Sequence, residues 1–216
     1  DAILKASKKV IDVELNKPDL MNHLKIINKL NFELIDYEEF TNLGSHLEIE
    51  GVQPLFPLQE EMIYSGVSSE NSYVNHFAWT TTENINSVAF KMERVIEKYE
   101  ALRTRFVRTA KNNFIQVIDK KITSTIHKHQ SSSRNPLEIN SFIKEEYKTF
   151  KYQSNRYLYG FYLFELENGD TRAILIFNHI LFDGWSIGIL MKELWGTDTS
   201  PILKSRSVTN DEYSRW

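Results

Sequence analysis

At 216 residues, with 41% hydrophobic and 12% aromatic content, the chain holds enough apolar material for one sizeable core with a small appendage. A formal net charge of -3 supplies no global basic field of the kind that draws proteins to nucleic acid or anionic lipid, and the absence of cysteine excludes disulfides, thiolate metal sites and a cysteine nucleophile. No segment approaches the roughly 20 apolar residues that span a bilayer and no basic-then-apolar signal pattern opens the chain, so a soluble, cytoplasmic protein is expected. Asp1 at one end and Asp211-Glu212-Tyr213-Ser214-Arg215-Trp216 at the other lead us to expect both ends to be cuts within a longer polypeptide.

Residues 2–15 place Ile3, Leu4, Val10, Ile11 and Leu15 near helical spacing, before Pro18 interrupts. A second helical stretch runs over 19–40, with a break near Asn31. Gly51, Pro54 and Pro57 then form a linker-like break, and we place a domain boundary near residue 51. Leu58 to Tyr64 reads as a helix with Gln59-Glu60-Glu61 in its first turn, where acidic side chains oppose the helix dipole. Tyr73 to Thr80 is an aromatic-rich strand, and Asn84 caps a helix whose Ile85, Val88, Ala89, Met92, Val95, Ile96 and Tyr99 make one apolar face. Strands follow at Thr104–Arg108, Phe114–Ile118 and Ile122–His129, the first two flanking a hairpin turn at Lys111-Asn112-Asn113. After a loop over Ser131–Asn135, Pro136 opens a helix running to about Phe150. Two further strands, Tyr157–Leu166 and Arg172–Asn178, are joined by the hairpin dipeptide Asn168-Gly169, and a helix over Ser186–Trp195 ends the pattern. This irregular alternation predicts an α+β fold, a mixed and largely antiparallel sheet flanked by helices, rather than a doubly wound parallel sheet.

The apolar run Ile174-Leu175-Ile176-Phe177 stops abruptly on Asn178-His179, and Asp183-Gly184 follows as a tight turn before the last helix. His179 is thereby set at a strand end with a carboxylate nearby. Imidazole is the ordinary side chain whose unperturbed pKa lets it exchange a proton near neutral pH, so His179 is the candidate catalytic residue.

Asn178-His179-Ile180-Leu181-Phe182-Asp183-Gly184 resembles the His-His-x-x-x-Asp-Gly motif of nonribosomal peptide synthetase condensation domains, within the chloramphenicol acetyltransferase-like superfamily. Three further segments agree in order. Pro54-Leu55-Phe56-Pro57-Leu58-Gln59-Glu60-Glu61-Met62 resembles the family's opening helix motif. Glu97 to Phe106 resembles its Arg-His-Glu-x-Leu-Arg-Thr-x-Phe motif, and Glu212-Tyr213-Ser214-Arg215-Trp216 the aromatic motif after the active-site helix. The resemblance covers about residues 52–216. It implies one lobe of a pseudo-dimer, the N-terminal one, with residues 51–216 as that lobe. The second lobe would supply the other wall of a tunnel that phosphopantetheine arms enter from opposite faces. The implied partners are upstream and downstream carrier domains and the missing C-terminal lobe. No cofactor is implied for the lobe itself, since the arms act as substrates, and neither nucleic acid nor membrane is an implied partner.

The resemblance makes His179 the motif's functional second histidine, which takes the proton from, or orients, the acceptor amine as it attacks the donor thioester. Asn178 replaces the first histidine. Asp183 becomes a structural residue turned into an ion pair with Arg103, which retains the family's Leu-Arg-Thr context, whereas Lys98, in place of the motif's leading arginine, offers only a point charge; Asp183→Ala is then expected to lose folding as well as activity. Gly184 is assigned close backbone approach or positive φ, Ser186 a capping role, and Trp185 packing; Asn178, Trp185 and Ser186 are the candidates for substrate or loop positioning. Asp-Gly-Trp-Ser at 183–186 favours condensation over epimerisation, and the retained His179 argues against heterocyclisation.

Blander readings apply elsewhere. His76, His127 and His129 lack matched ligand partners, so no metal site is expected; His127 and His129 share one strand face and read as solvated. Tyr157, Tyr159, Phe161 and Phe164 suggest core and sheet-face packing, and Lys144-Glu145-Glu146 an exposed helix face. Residues 1–50 lie outside the resemblance and read as a helical linker, a docking segment or a degenerate carrier remnant with Leu34 where the carrier serine would stand. Two functions compete: an amide-forming condensation domain, inactive as an isolated lobe, and a non-catalytic condensation-like module that recruits a partner protein. Asn178, Lys98 and Phe150-Lys151 lean toward the second, His179 and Asp183 toward the first.

Overall fold

The computed structural model describes residues 35, 37–43, 48–66, 73–122, 125–130, 136–150 and 155–196. Their elements are α1 (Tyr37–Asn42), β1 (Ile49–Pro54), α2 (Pro57–Gly66), β2 (Val74–Thr81), α3 (Ile85–Lys98), a 3₁₀ turn (Glu100–Arg103), β3 (Thr104–Arg108), β4 (Phe114–Asp119), β5 (Ile126–Gln130), α4 (Pro136–Tyr147), a second 3₁₀ turn (Lys148–Phe150), β6 (Tyr159–Glu165), β7 (Thr171–Asn178) and α5 (Gly184–Trp195). The helices expected over 2–15 and most of 19–40, the carrier-like segment at Leu34, the loop at Ser131–Asn135 and the motif at Glu212–Trp216 lie outside the described residues.

The strands form two sheets, the larger of which is the mixed, largely antiparallel sheet flanked by helices that the sequence predicts. One is antiparallel in the order β1-β4-β3. The other runs β2-β7-β6-β5, antiparallel except that β5 lies parallel to β6. Parallel pairing needs a crossover rather than a hairpin, and the segment between β5 and β6, which contains α4, provides it. An isolated antiparallel bridge joins Phe106 of β3 to Arg156 in the segment ahead of β6, with the Asn155 N–H donating to the Phe106 carbonyl at 2.8 Å.

Alternation decides how the four-stranded sheet is covered. Tyr159, Phe161, Leu163, Ala173, Leu175 and Phe177 face one side, where Val88, Ala89, Met92, Val95 and Ile96 of α3 and Leu190 and Leu194 of α5 pack on them. Tyr162, Ile174 and Ile176 face the other, under Ile143 of α4 and Phe150. Strand β7 is therefore apolar on both faces, which explains its unbroken hydrophobic run. Asn84 caps α3 as expected, its side chain accepting from the N–H groups of Asn86 and Ser87 at 3.1 and 3.0 Å. Gly169 (φ 82°) and Asn112 (φ 67°) supply the left-handed positions of the two hairpin turns.

Three expectations require correction. The boundary near residue 51 falls inside β1, whose Val52 and Gln53 pair with Val117 and Gln116, so Gly51 to Pro54 is a paired strand rather than a linker. Ile35 and Phe40 pack against this sheet beside Ile49 and Val117. His127 is exposed as expected, but His129 is half-buried rather than solvated. Each stacks on its cross-strand neighbour, His127 on Tyr162 and His129 on Phe164, both with ring centroids 4.9 Å apart, and partial burial lowers the His127 pKa. Finally, Glu146 leaves the exposed face of α4 to accept a hydrogen bond from the Tyr162 hydroxyl.

Candidate active site

Strand β7 delivers His179 at its C-terminal end. Asn178, the last paired residue, is buried and does two things with one amide: Nδ2 donates to the Phe150 carbonyl at 3.1 Å, and Oδ1 accepts from the Ile180 N–H at 3.1 Å. The Leu181 N–H returns to the Asn178 carbonyl at 3.1 Å and closes a turn around His179. The His179 N–H donates to the Tyr73 carbonyl at 2.7 Å, and Tyr73 adopts a left-handed backbone (φ 69°) just ahead of β2. Such a conformation is costly for a tyrosine and persists where its surroundings hold it.

The carbonyl of Ile180 is secured from α2. Gln59 of α2 donates through Nε2 to it at 3.1 Å and to Gln116 Oε1 at 3.4 Å, while its Oε1 accepts from the Phe56 N–H at 2.9 Å. Gln116, buried on β4, donates onward to the Pro54 carbonyl at 2.9 Å. The turn that carries His179 is thus tied to Tyr73, Phe150 and Gln59, three separate segments.

His179 lines a cleft of about 1140 Å³ between the two sheets, with Leu55, Phe56, Met62, Thr104 and Phe106 on the opposite wall and Gln59, Asp183 and Ser186 beside it. The imidazole is half-buried and meets the Phe177 ring edge-on at 5.6 Å. Among the described residues no side chain hydrogen-bonds it, so both ring nitrogens are available to a ligand. Among the described residues no group of three or more His, Asp or Glu side chains could hold a metal ion, and no helix is long and apolar enough to cross a membrane.

Asp183 does not pair with Arg103. It is exposed and caps α5, its Oδ1 accepting from the Ser186 N–H at 3.0 Å and the Ser186 hydroxyl at 2.9 Å. Those bonds, the backbone one first, hold its carboxyl below the usual carboxylate range. Arg103 is buried beneath the other sheet, paired with Glu50 at 2.6 Å and bonded to the Asp119 carbonyl. Neighbouring Arg105 takes Asp119 with Nε and NH2 at 2.7 and 3.0 Å, a two-pronged buried pair. The residues that do reach α5 from this motif are Lys98, bonded to Glu193 at 2.6 Å, and Tyr99, hydrogen-bonded with the same carboxylate.

The other expected site residues separate. Ser186 joins the cleft and completes the cap. Gly184 shows neither positive φ nor close approach, since a Cβ there would meet nothing within 4 Å. Trp185 is 87% exposed, which overturns the packing role, and it does not line the cleft. Gln59, Gln116 and Tyr73 escaped sequence reasoning as site residues. Gln59 stood inside the quoted opening motif, but nothing in a helical first turn announces a side chain reaching across to Ile180.

A family model described as Condensation domain matches residues 49–200. Cyclochlorotine synthetase of Talaromyces islandicus is 26% identical over 183 residues, covering 81% of this chain and 3% of that protein. Tyrocidine synthase 3 of Brevibacillus parabrevis is 26% identical over 181 residues, covering 78% of this chain and 3% of that protein. Among solved structures, a holo four-domain nonribosomal peptide synthetase, AB3403, bound to AMP and glycine aligns with a TM-score of 0.59 at 16% identity over 68% of this chain and 12% of that one. The condensation domain of the Monacolin K polyketide synthase MokA aligns with a TM-score of 0.54 at 14% identity over 68% of this chain and 34% of that one. At such identities the structural likeness is one of fold. The chain spans a few per cent of the length of these curated relatives.

Proposed function

Because the chain belongs to the condensation-domain family, we propose that it acts as the N-terminal lobe of a domain that joins a carrier-bound acyl or peptidyl thioester to a carrier-bound aminoacyl thioester through an amide bond. The observation that carries this reading is the free imidazole of His179 on a turn whose main chain is held from three sides. The amine nitrogen attacks the thioester carbonyl carbon, the C–N bond forms as the carbonyl π electrons move to oxygen, and collapse expels the thiolate. One proton leaves the nitrogen and one must reach the sulfur. His179 holds the amine by its N–H, takes the first proton and can return it to the leaving group; a positioned base of this kind contributes about 10² to 10⁴-fold. The remaining advantage comes from holding two tethered reactants together. The phosphopantetheine arms enter as substrates, the carriers and a C-terminal lobe are the partners, and the cytoplasm is the proposed location.

Asn178 bears on the alternative of a non-catalytic docking module. Its amide secures the turn under His179 through two hydrogen bonds, so its replacement of a histidine is no sign of decay. The test is condensation by the two-lobed domain with loaded donor and acceptor carriers. His179→Ala should lower turnover by about 10² to 10⁴-fold with the melting temperature unchanged. Product formation unaffected by that substitution removes the catalytic role; no product from any loaded pair, with tight binding of another protein, favours docking.

A further inference from the structure

Beside the His179 turn, Tyr99, Leu102, Phe182, Ile189 and Leu190 wall a pocket of about 200 Å³ between the first 3₁₀ turn and α5. Ala101, Leu181, Phe182 and Ser186 line both this pocket and the His179 cleft, so the two are contiguous. The few polar groups in its wall are already engaged. The Ser186 hydroxyl donates to Asp183 at 2.9 Å, and the Tyr99 hydroxyl is hydrogen-bonded with Glu193. A charged or amide-bearing group entering here would lose its water with nothing to replace it. An apolar group would not. A cavity of about 150 Å³ lined by aliphatic and aromatic side chains stays dry and takes up benzene, so this volume suits a phenyl ring or a branched or short linear aliphatic chain.

We propose that this pocket receives the apolar side chain or acyl tail of the thioester substrate, up to about phenyl size plus a methylene or two, while the reacting carbonyl lies in the cleft at His179. The proposal rests on the reading of the cleft as a condensation site. It makes Ala101 and Ile189 specificity-determining positions: Ala101 at the junction between pocket and cleft, Ile189 on the outer wall at 56% exposure.

The test is the affinity of the full chain for pantetheine analogues in which an amide replaces the thioester, bearing acetyl, butanoyl, hexanoyl or decanoyl groups, measured by calorimetry. Affinity should rise about fourfold per methylene to roughly hexanoyl and then level off, because further carbons find no apolar wall. Ala101→Phe should flatten that rise, and Ile189→Ala should move the plateau to longer chains, with unfolding curves recorded to establish that each variant is folded. Affinity independent of chain length in the unmodified chain overturns the pocket, as does a rise that continues undiminished to decanoyl. Chain-length dependence without product in the two-lobed assay removes the reaction and keeps the pocket. Product without chain-length dependence keeps the reaction and removes the pocket.

Discussion

Asp183→Ala separates two accounts of the Asp-Gly turn. In the ion-pair account the carboxylate is buried against an arginine, and its removal strands a charge at a cost of about 3 to 5 kcal/mol. In the structure the carboxylate is exposed and caps α5 through two bonds from Ser186 at 3.0 and 2.9 Å, while Arg103 belongs to Glu50. Losing a cap costs about 1 kcal/mol. For a chain of this size each kcal/mol moves the melting temperature by about 2 to 4 °C, so Asp183→Ala should fall by about 2 to 4 °C, where losing the buried pair would take about 6 to 20 °C. Asp183→Asn should sit close to the parent, since asparagine caps equally well. Acid adds an independent check. The capped carboxyl is held low, so its contribution is complete above the unfolded value of about 3.9 and is lost as the pH falls through the lower folded value. The gap between parent and Asp183→Ala should therefore narrow below about pH 4. Thermal and urea unfolding of the full chain across pH measure all three. A loss above about 3 kcal/mol for Asp183→Ala, or an Asp183→Asn variant as damaged as the alanine one, refutes the capping account.

The supports of the His179 turn yield two more expectations. Gln59→Leu leaves the Ile180 carbonyl without its partner and should cost about 1 to 3 kcal/mol, while lowering kcat in the two-lobed assay more than it raises KM, because the bond secures the residue next to the imidazole; an effect confined to KM contradicts this. Asn178→Ala unpairs both the Ile180 N–H and the Phe150 carbonyl and should lower stability by about 2 kcal/mol in urea unfolding. Asn178→Asp should not restore it, since a carboxylate cannot donate to Phe150.

What could be read from the residues was local. The face of α3, its Asn84 cap, the Gly169 and Asn112 turns and the placing of His179 after a two-faced strand all follow from spacings within a few residues. The partners of charged groups did not follow. Arg103, Arg105 and Asp119 lie near one another because β3 and β4 pair in one register, and that register hands Arg105 to Asp119 and leaves Arg103 for Glu50, away from Asp183. His127 and His129 could be placed on one face of β5 by alternation, but only the parallel pairing with β6 sets Tyr162 and Phe164 beside them. Gln59 shows the limit most clearly, since a single amide reaching a carbonyl in the other half of the chain leaves no period or spacing behind.

That long reach also orders events in time. Gln59 and Ile180 stand 121 residues apart, and holding such distant points together costs about 4 kcal/mol in the length-dependent part of loop entropy alone. The hairpins β3-β4 and β6-β7 and the helix α3 need no such closure. The seat of His179 should accordingly be among the last parts of the protein to assemble and the first to loosen, so that a refolding chain recovers its helical and sheet signal before it recovers a competent imidazole.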